Sequence, residues 1–289
     1  AFVANSSNAL AAYKAAQCLW VLFQTREAIE FLEKAIQADP LFLQAYTLLA
    51  DYHSQRHNFA AAGRVLTMAR EASPTQNHEV LKAFATVEFR RNSFKQALLW
   101  AQQSLKLYDT DPGMNLLMAE IQYALQEYQF ALSYAHKSIE LDATLFAAHN
   151  VYAKSLVKLQ GGEAGASYLQ DLVVKYPNNS IYRQYLGDLY KDQEKYPQAQ
   201  QIYQQLVATS RNSKLAWLGL GQSHYLQKQY DAALKAFLSA ATQDPTDPEP
   251  IFMAGLVYLD SSRFSLANQQ FQRVLKINEY YPRTHYFVG

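Results

Sequence analysis

The sequence predicts an all-α solenoid, a row of helix–turn–helix units stacked in register. The first observation behind this is a ladder of small residues. Ala28, Ala62, Ala97, Ala131, Gly165, Ala199, Ala233 and Ala267 recur at 34 or 35 residues. Twelve residues ahead of each stand Ala16, Ala50, Ala85, Ala119, Ala153, Gly187, Gly221 and Gly255. A fixed period of this length marks an array of supersecondary units, and small side chains let two helices cross with their backbones close. The second observation is a pair of apolar stripes in each period, at i, i+3, i+4, i+7 spacing, with no period-two alternation. The third is punctuation: Pro40, Pro74, Pro177 and Pro245 close four of the periods, where a helix cannot continue.

Placing the small pair at positions 8 and 20 gives unit starts at 9, 43, 78, 112, 146, 180, 214 and 248, with a further start at 282. Seven of the eight steps are 34 residues; the step from 43 to 78 is 35, with Asn77 read as the extra residue. Residues 1–8 read as a polar N-terminal extension, with Ser7 or Asn8 capping the first helix. Within the unit starting at 214, Leu215, Trp217, Leu218, Leu220 and Tyr225 form the first stripe. Tyr230, Ala233, Leu234, Phe237 and Ala240 form the second. The turn between them falls near position 17, where Phe59, Phe94, Tyr128, Tyr196, Tyr230 and Phe264 recur. Pro197 follows one residue later, where the first turn of a helix tolerates it.

The unit starting at 146 departs from this frame. Its turn carries Gly162 in place of the aromatic and Gly165 in place of alanine. Glycine costs about 0.5–1 kcal/mol relative to alanine inside a helix, which makes this turn the softest joint and a candidate hinge. Residues 282–289 begin a truncated ninth unit, too short to cover the preceding helix, so continuation beyond Gly289 or cover by another chain is expected. The absence of an initial Met points in the same way to a trimmed start.

Composition narrows the function classes. A chain of 289 residues exceeds one ordinary core, in keeping with an elongated array or two domains. The net charge of +1 supplies no field toward nucleic acid or anionic membrane. No apolar run is long enough to span a bilayer. The Gln-rich, weakly charged composition points to a soluble assembly factor of a bacterial envelope or of the cytoplasm, the cytoplasm being slightly favoured over the periplasm. The single cysteine, Cys18, excludes an internal disulfide and reads as a buried, inert thiol.

Catalytic and metal chemistry find little support. His53 and His57 stand at i, i+4 beside Asp51, but no third ligand accompanies them, and His53 and His224 both occupy a packed position of their units. Gly219-Leu-Gly221 lacks the strand and third glycine of a dinucleotide fingerprint. No phosphate-binding loop, nucleophile elbow or zinc spacing is present. The expectation is a protein that is not an enzyme and takes no cofactor or metal.

The unit starting at 214 carries Trp217, Leu220, Gly221, Ala233, Phe237, Ala240 and Pro245. These fill seven of the eight consensus positions of the tetratricopeptide repeat, a 34-residue helix–turn–helix, which the chain resembles from residue 9 to its end. The neighbouring units repeat it with Gly255, Tyr258, Ala267 and Phe271, and with Leu186, Gly187, Tyr190, Ala199 and Tyr203. The resemblance implies a right-handed superhelical solenoid whose concave groove is lined by positions 2, 5, 9, 12 and 13 of each first helix. Carried over, it assigns Tyr13, Trp20, Lys82, Phe89, Arg90, Glu120, Tyr123, Asn150, Lys154, Lys158, Asp188, Lys191, Tyr225 and Phe252 to partner binding. It also places Gln17, Gln44, Thr47, Asp51, Gln55, Glu79, Thr86, Leu116, Val157, Gln184, Asp192, Leu215, Leu218, Gln222 and Leu259 in the groove.

Aromatic anchors alternate with charge, a basic middle at Lys82, Arg90, Lys154 and Lys158 being flanked by Asp51, Asp188 and Asp192. The implied function is a non-catalytic scaffold or adaptor holding a partner protein or peptide within a multiprotein assembly. Two other readings are a regulatory or recruiting arm of a larger enzyme or secretion protein, and self-association through the uncapped C-terminal end. A chaperone-tail clamp does not fit, since Lys82 is followed by Thr86 at position 9, and Asn150 and Lys154 stand in reversed order. The asparagine ladder of sugar-transferase arms is missing. RNA-binding pentatricopeptide arrays have a 35-residue step and the positive charge this chain lacks.

Overall fold

The computed structural model describes residues 2–288 except 23, 74, 211, 212, 279, 280, 282 and 283, with 2–7 described by their backbone. Helices of two kinds alternate along the chain. The A helices are α1 (Phe2–Val21), α3 (Leu43–Gln55), α5 (His78–Arg90), α7 (Pro112–Ala124), α9 (Phe146–Gln160), α11 (Ser180–Asp192), α13 (Lys214–Leu226), α15 (Pro248–Asp260) and the short α17 (Thr284–Val288). The B helices are α2 (Thr25–Ala38), α4 (Phe59–Ala72), α6 (Phe94–Leu107), α8 (Tyr128–Leu141), α10 (Gly162–Lys175), α12 (Tyr196–Thr209), α14 (Tyr230–Gln243) and α16 (Phe264–Ile277). Among the described residues there is no strand, and no helix is long and apolar enough to cross a membrane.

Local chemistry explains the boundaries. The side chains of Asn77, Asp111, Asn179, Ser213 and Asp247 each accept a backbone N–H in the first turn of the A helix that follows, meeting a donor the helix leaves orphaned. Asn77 is thus the ordinary cap, and the additional residue of the 35-residue step lies earlier, in the five-residue connection after α4. The A-to-B turn is made by one left-handed residue, His57, Asn92, Gln126, Glu194, Lys228 or Ser262, with φ between 58° and 66°. At the divergent turn α9 runs two residues further, and Gly161 takes φ 98°. The Gln193 amide then donates to the Gly162 carbonyl at 3.1 Å, and Lys195 pairs with Glu163.

The chain divides into two compact halves, Ala1–Ser155 and Leu156–Gly289, with the division inside α9. In the first half α1 to α7 pack each on the next, α7 packs on α8, and successive A helices also touch, α3 with α5 and α5 with α7. Among the described residues no two successive B helices meet as closely, so the A helices line one face of the stack. The second half repeats the arrangement from α10 to α17, with α11 touching α13.

The ladder is the core of both halves. Ala28, Ala62, Ala97 and Ala131, with Ala16, Ala50, Ala85 and Ala119, are all fully buried in the first. In the second, Gly187, Gly221 and Gly255 lie under the rings of Tyr203, Phe237 and Phe271. The partner at position 24 follows the rung at position 8. Leu32, Leu66, Ala101 and Ala135 accompany alanines, whereas the three aromatic rings accompany glycines. Volume at one position is compensated at the other, as close packing requires.

Three further expectations are corrected. The backbone is helical from Phe2, so Ser7 and Asn8 lie within α1 instead of capping it. No proline or glycine interrupts residues 2–8, and each added residue gains a helical hydrogen bond. Cys18 is exposed, because it faces away from the α2 and α3 side of α1 where Ala16 packs. At the C-terminal end α17 covers part of α16: Phe287 stacks on Phe271 with centroids 5.0 Å apart.

Candidate functional site

The A-helix face of the first half contains a cavity of about 290 Å³ between α1, α3 and α5. Its walls are Tyr13, Thr47, Asp51, Glu79, Lys82 and Thr86, and its floor is Leu48, Ala83 and Val87. The walls come from positions 2, 5 and 9 of three consecutive repeats, brought together because A helices touch along this face. The floor residues were missed in the sequence. Leu48 and Ala83 occupy position 6 and Val87 position 10, whose apolar character reads equally well as ordinary core.

Charges on this face are largely committed to one another. Arg90 pairs with Asp51 at 2.5 Å and donates to the Ser54 hydroxyl at 3.1 Å, and the other Asp51 oxygen accepts from Gln55 at 2.7 Å. Lys82 pairs with Asp111 at 2.7 Å, and His78 Nε2 contacts the same carboxylate oxygen at 2.8 Å. The other Asp111 oxygen accepts the Met114 N–H. Burial works to raise the Asp111 carboxyl, but hydrogen bonds from Lys82, His78 and Met114 overcome it and hold it down at about 2. The basic middle expected at Lys82 and Arg90 is therefore neutralised within the fold.

Glu79 and Glu120 form no hydrogen bond or ion pair through their carboxylates with any described residue. Glu79 is exposed and Glu120 half-buried, and burial pushes the Glu120 carboxyl up. Asn150 and Lys154 are half-buried on α9. Lys158 is exposed on the same helix, beyond the division.

The aromatic candidates mostly pack. Trp20 stacks flat on Tyr52 at 3.7 Å between centroids. Phe89 meets Phe94 at 5.6 Å, Tyr123 meets Tyr128 at 5.3 Å and Tyr225 meets Tyr230 at 6.4 Å, the same position-12 to position-17 contact across three A-to-B turns. Tyr13 touches Phe42 edge-on at 5.2 Å and still walls the cavity. Phe252 belongs to an aromatic cluster with Phe271, Tyr281 and Phe287.

The second half carries its own polar network. Lys191 bridges Asp188 at 3.3 Å and Gln222 at 2.7 Å, and Asp188 accepts the Tyr203 hydroxyl at 2.6 Å. Burial first, and then the Asp188 charge, push the Tyr203 phenol up, so it stays a donor. Tyr225 donates to Asp260 at 2.6 Å. Tyr203 and Asp260 were not among the expected site residues, and only the 34-residue register brings them beside Asp188 and Tyr225.

His78, Glu79 and Asp111 place three possible ligand atoms within 4.8 Å. The Lys82 ammonium already sits on the Asp111 oxygen, and His78 Nδ1 contacts the Ser104 hydroxyl at 2.8 Å. That donor set is a lock between α5 and the start of α7, and does not suit a cation. His224 is buried against Gln229 at 2.6 Å, while His57 is exposed in its turn.

Tetratricopeptide repeat models match residues 186–248 and 9–40. Anaphase-promoting complex subunit 6 of Arabidopsis thaliana is 22% identical over 264 residues, covering 87% of this chain and 48% of that protein. Anaphase-promoting complex subunit cut9 of Schizosaccharomyces pombe is 20% identical over 260 residues, covering 88% and 38%. The chain thus spans less than half the length of the curated relatives it matches. Yeast Tom70 superposes with a TM-score of 0.73 at 13% identity, over 91% of this chain and 57% of that structure, which is a likeness of fold.

Proposed function

We propose, from the premise that this chain belongs to the tetratricopeptide repeat family, that it is a non-catalytic scaffold holding an extended partner segment against its A-helix face. The observation that carries this reading is the cavity between α1, α3 and α5, walled by six side chains from three consecutive repeats. A site so built needs stacked repeats, and repeat arrays offer extended surfaces of this kind to partners. Work within a multiprotein assembly is supported by the two relatives named as subunits of the anaphase-promoting complex.

The test fills the cavity without touching the core. Thr86 is half-buried on the cavity wall, so Thr86→Trp projects an indole into the space. Partners co-purifying with the tagged full chain are identified and their recovery with the variant is compared, its fold being checked by its melting curve. Loss of the partner from a folded variant is the expected result. Full retention overturns the assignment.

A further inference from the structure

The cavity's carboxylate and hydroxyl acceptors outnumber its uncommitted donors, which are the Tyr13 hydroxyl and the Lys82 protons not spent on Asp111, and this balance decides what it takes. Thr47 Oγ1 donates its proton to the Gln44 carbonyl at 3.1 Å, and Thr86 Oγ1 donates to the Lys82 carbonyl at 2.9 Å. Each hydroxyl has spent its one proton on the backbone and keeps lone pairs to offer. Asp51 is held in place by Arg90 and Gln55, and a carboxylate has room for more donors than these two. Glu79 is exposed at the rim with no ion pair among the described residues. The cation on the wall, Lys82, is drawn to Asp111, and the bordering Arg90 to Asp51, which leaves the Glu79 charge uncompensated. Lys14 lies 5.7 Å from the Tyr13 ring centroid but outside the lining.

We infer that this cavity takes an arginine or lysine side chain of the partner segment, its stem on Leu48, Ala83 and Val87 and its cationic head among Asp51, Glu79, Thr47 and Thr86. The inference rests on the groove reading above and adds the chemistry of the anchor. A guanidinium or ammonium brings only donors and positive charge, the complement of this lining. An acidic side chain brings only acceptors and a like charge, and an amide brings two donors without the positive charge that answers Glu79. Glu120, a further carboxylate without a partner on the next A helix but one from α3, extends the same bias along the face.

The experiment is selection of a randomised peptide display library on the full chain, repeated on Glu79→Lys and on Thr86→Trp, with melting curves for both. Synthetic versions of a selected peptide, with the anchor as Arg, Lys, citrulline or Glu, are then titrated against the unmodified chain. The expected result is Arg or Lys enriched at one fixed position, and affinity falling about tenfold or more on citrulline replacement. Glu79→Lys should move enrichment toward Asp and Glu. Peptides that are lost on Thr86→Trp but show no basic anchor, or are indifferent to Glu79→Lys, overturn the inference and leave the groove reading standing. Selected peptides indifferent to Thr86→Trp, or no enrichment at all, overturn both.

Discussion

The Tyr203 hydroxyl reaches Asp188 at 2.6 Å by passing between two glycines. A Cβ at Gly187 would stand 3.0 Å from its ring, and one at Gly219 only 2.3 Å. The side chain starts on a B helix, is fully buried, and ends on the A-helix face, so it ties the two layers together. Tyr203→Phe should cost about 1.5–3 kcal/mol, the range for a hydrogen bond to a charged acceptor. Urea unfolding of both proteins measures it. A cost below a few tenths would show that Asp188 is as well served by Lys191 alone.

The pairing of rung and ring predicts compensation. Alanine usually favours a helix over glycine by about 1 kcal/mol, yet Gly221→Ala should destabilise by about 1–3 kcal/mol because its Cβ falls 2.6 Å from the Phe237 ring. Adding Phe237→Leu recreates the pairing seen at Ala50 and Leu66 in the first half. The double variant should lose at least about 1 kcal/mol less than the sum of the single losses. Strict additivity in a double-mutant cycle would contradict the contact.

Asp111 should make stability depend on acid. A carboxyl held at about 2 instead of 3.8 is protonated later in the folded chain than in the unfolded one. Its contribution is full above the unfolded value and is lost as the pH falls toward the folded one. Asp111→Asn should therefore cost about 2 kcal/mol at neutral pH, and the gap to the unmodified protein should close between about pH 5 and pH 2. Thermal melts across that range read it directly.

The A-to-B turns offer a stabilising change. Gln126 is exposed and left-handed at φ 66°, a conformation that costs an ordinary residue about 1–2 kcal/mol. Glycine removes that cost and returns about 0.5–1 kcal/mol of it as chain entropy. Gln126→Gly should raise stability by up to about 1 kcal/mol, and Asn92→Gly, at φ 64°, by less, since asparagine tolerates this region. Chemical denaturation of the two variants side by side gives the order.

These contacts also mark what could be read before the fold was seen. Period, small rungs and punctuation reveal alternating helices because each is a local constraint repeated eight times. The link between Gly221 and Phe237 was present too, since aromatic residues at position 24 appear only where glycine holds position 8. The pairing of Arg90 with Asp51, and of Lys82 with Asp111, was not legible. Position numbers give the face a side chain shares but not the neighbour it chooses, and the basic middle vanished for that reason. The aromatics Phe89, Tyr123 and Tyr225 turned toward Phe94, Tyr128 and Tyr230 because a ring five residues ahead lies across the turn.

The claim that the A-helix face of the first half holds the partner is met most directly by site-specific photo-crosslinking in the native assembly. A photoreactive residue is placed at Thr47 or Thr86 on the cavity wall, and at Leu99 or Met68, exposed on the B helices. Partner adducts are expected from Thr47 and Thr86 and not from Leu99 or Met68. Adducts from the B-helix positions alone would contradict the claim.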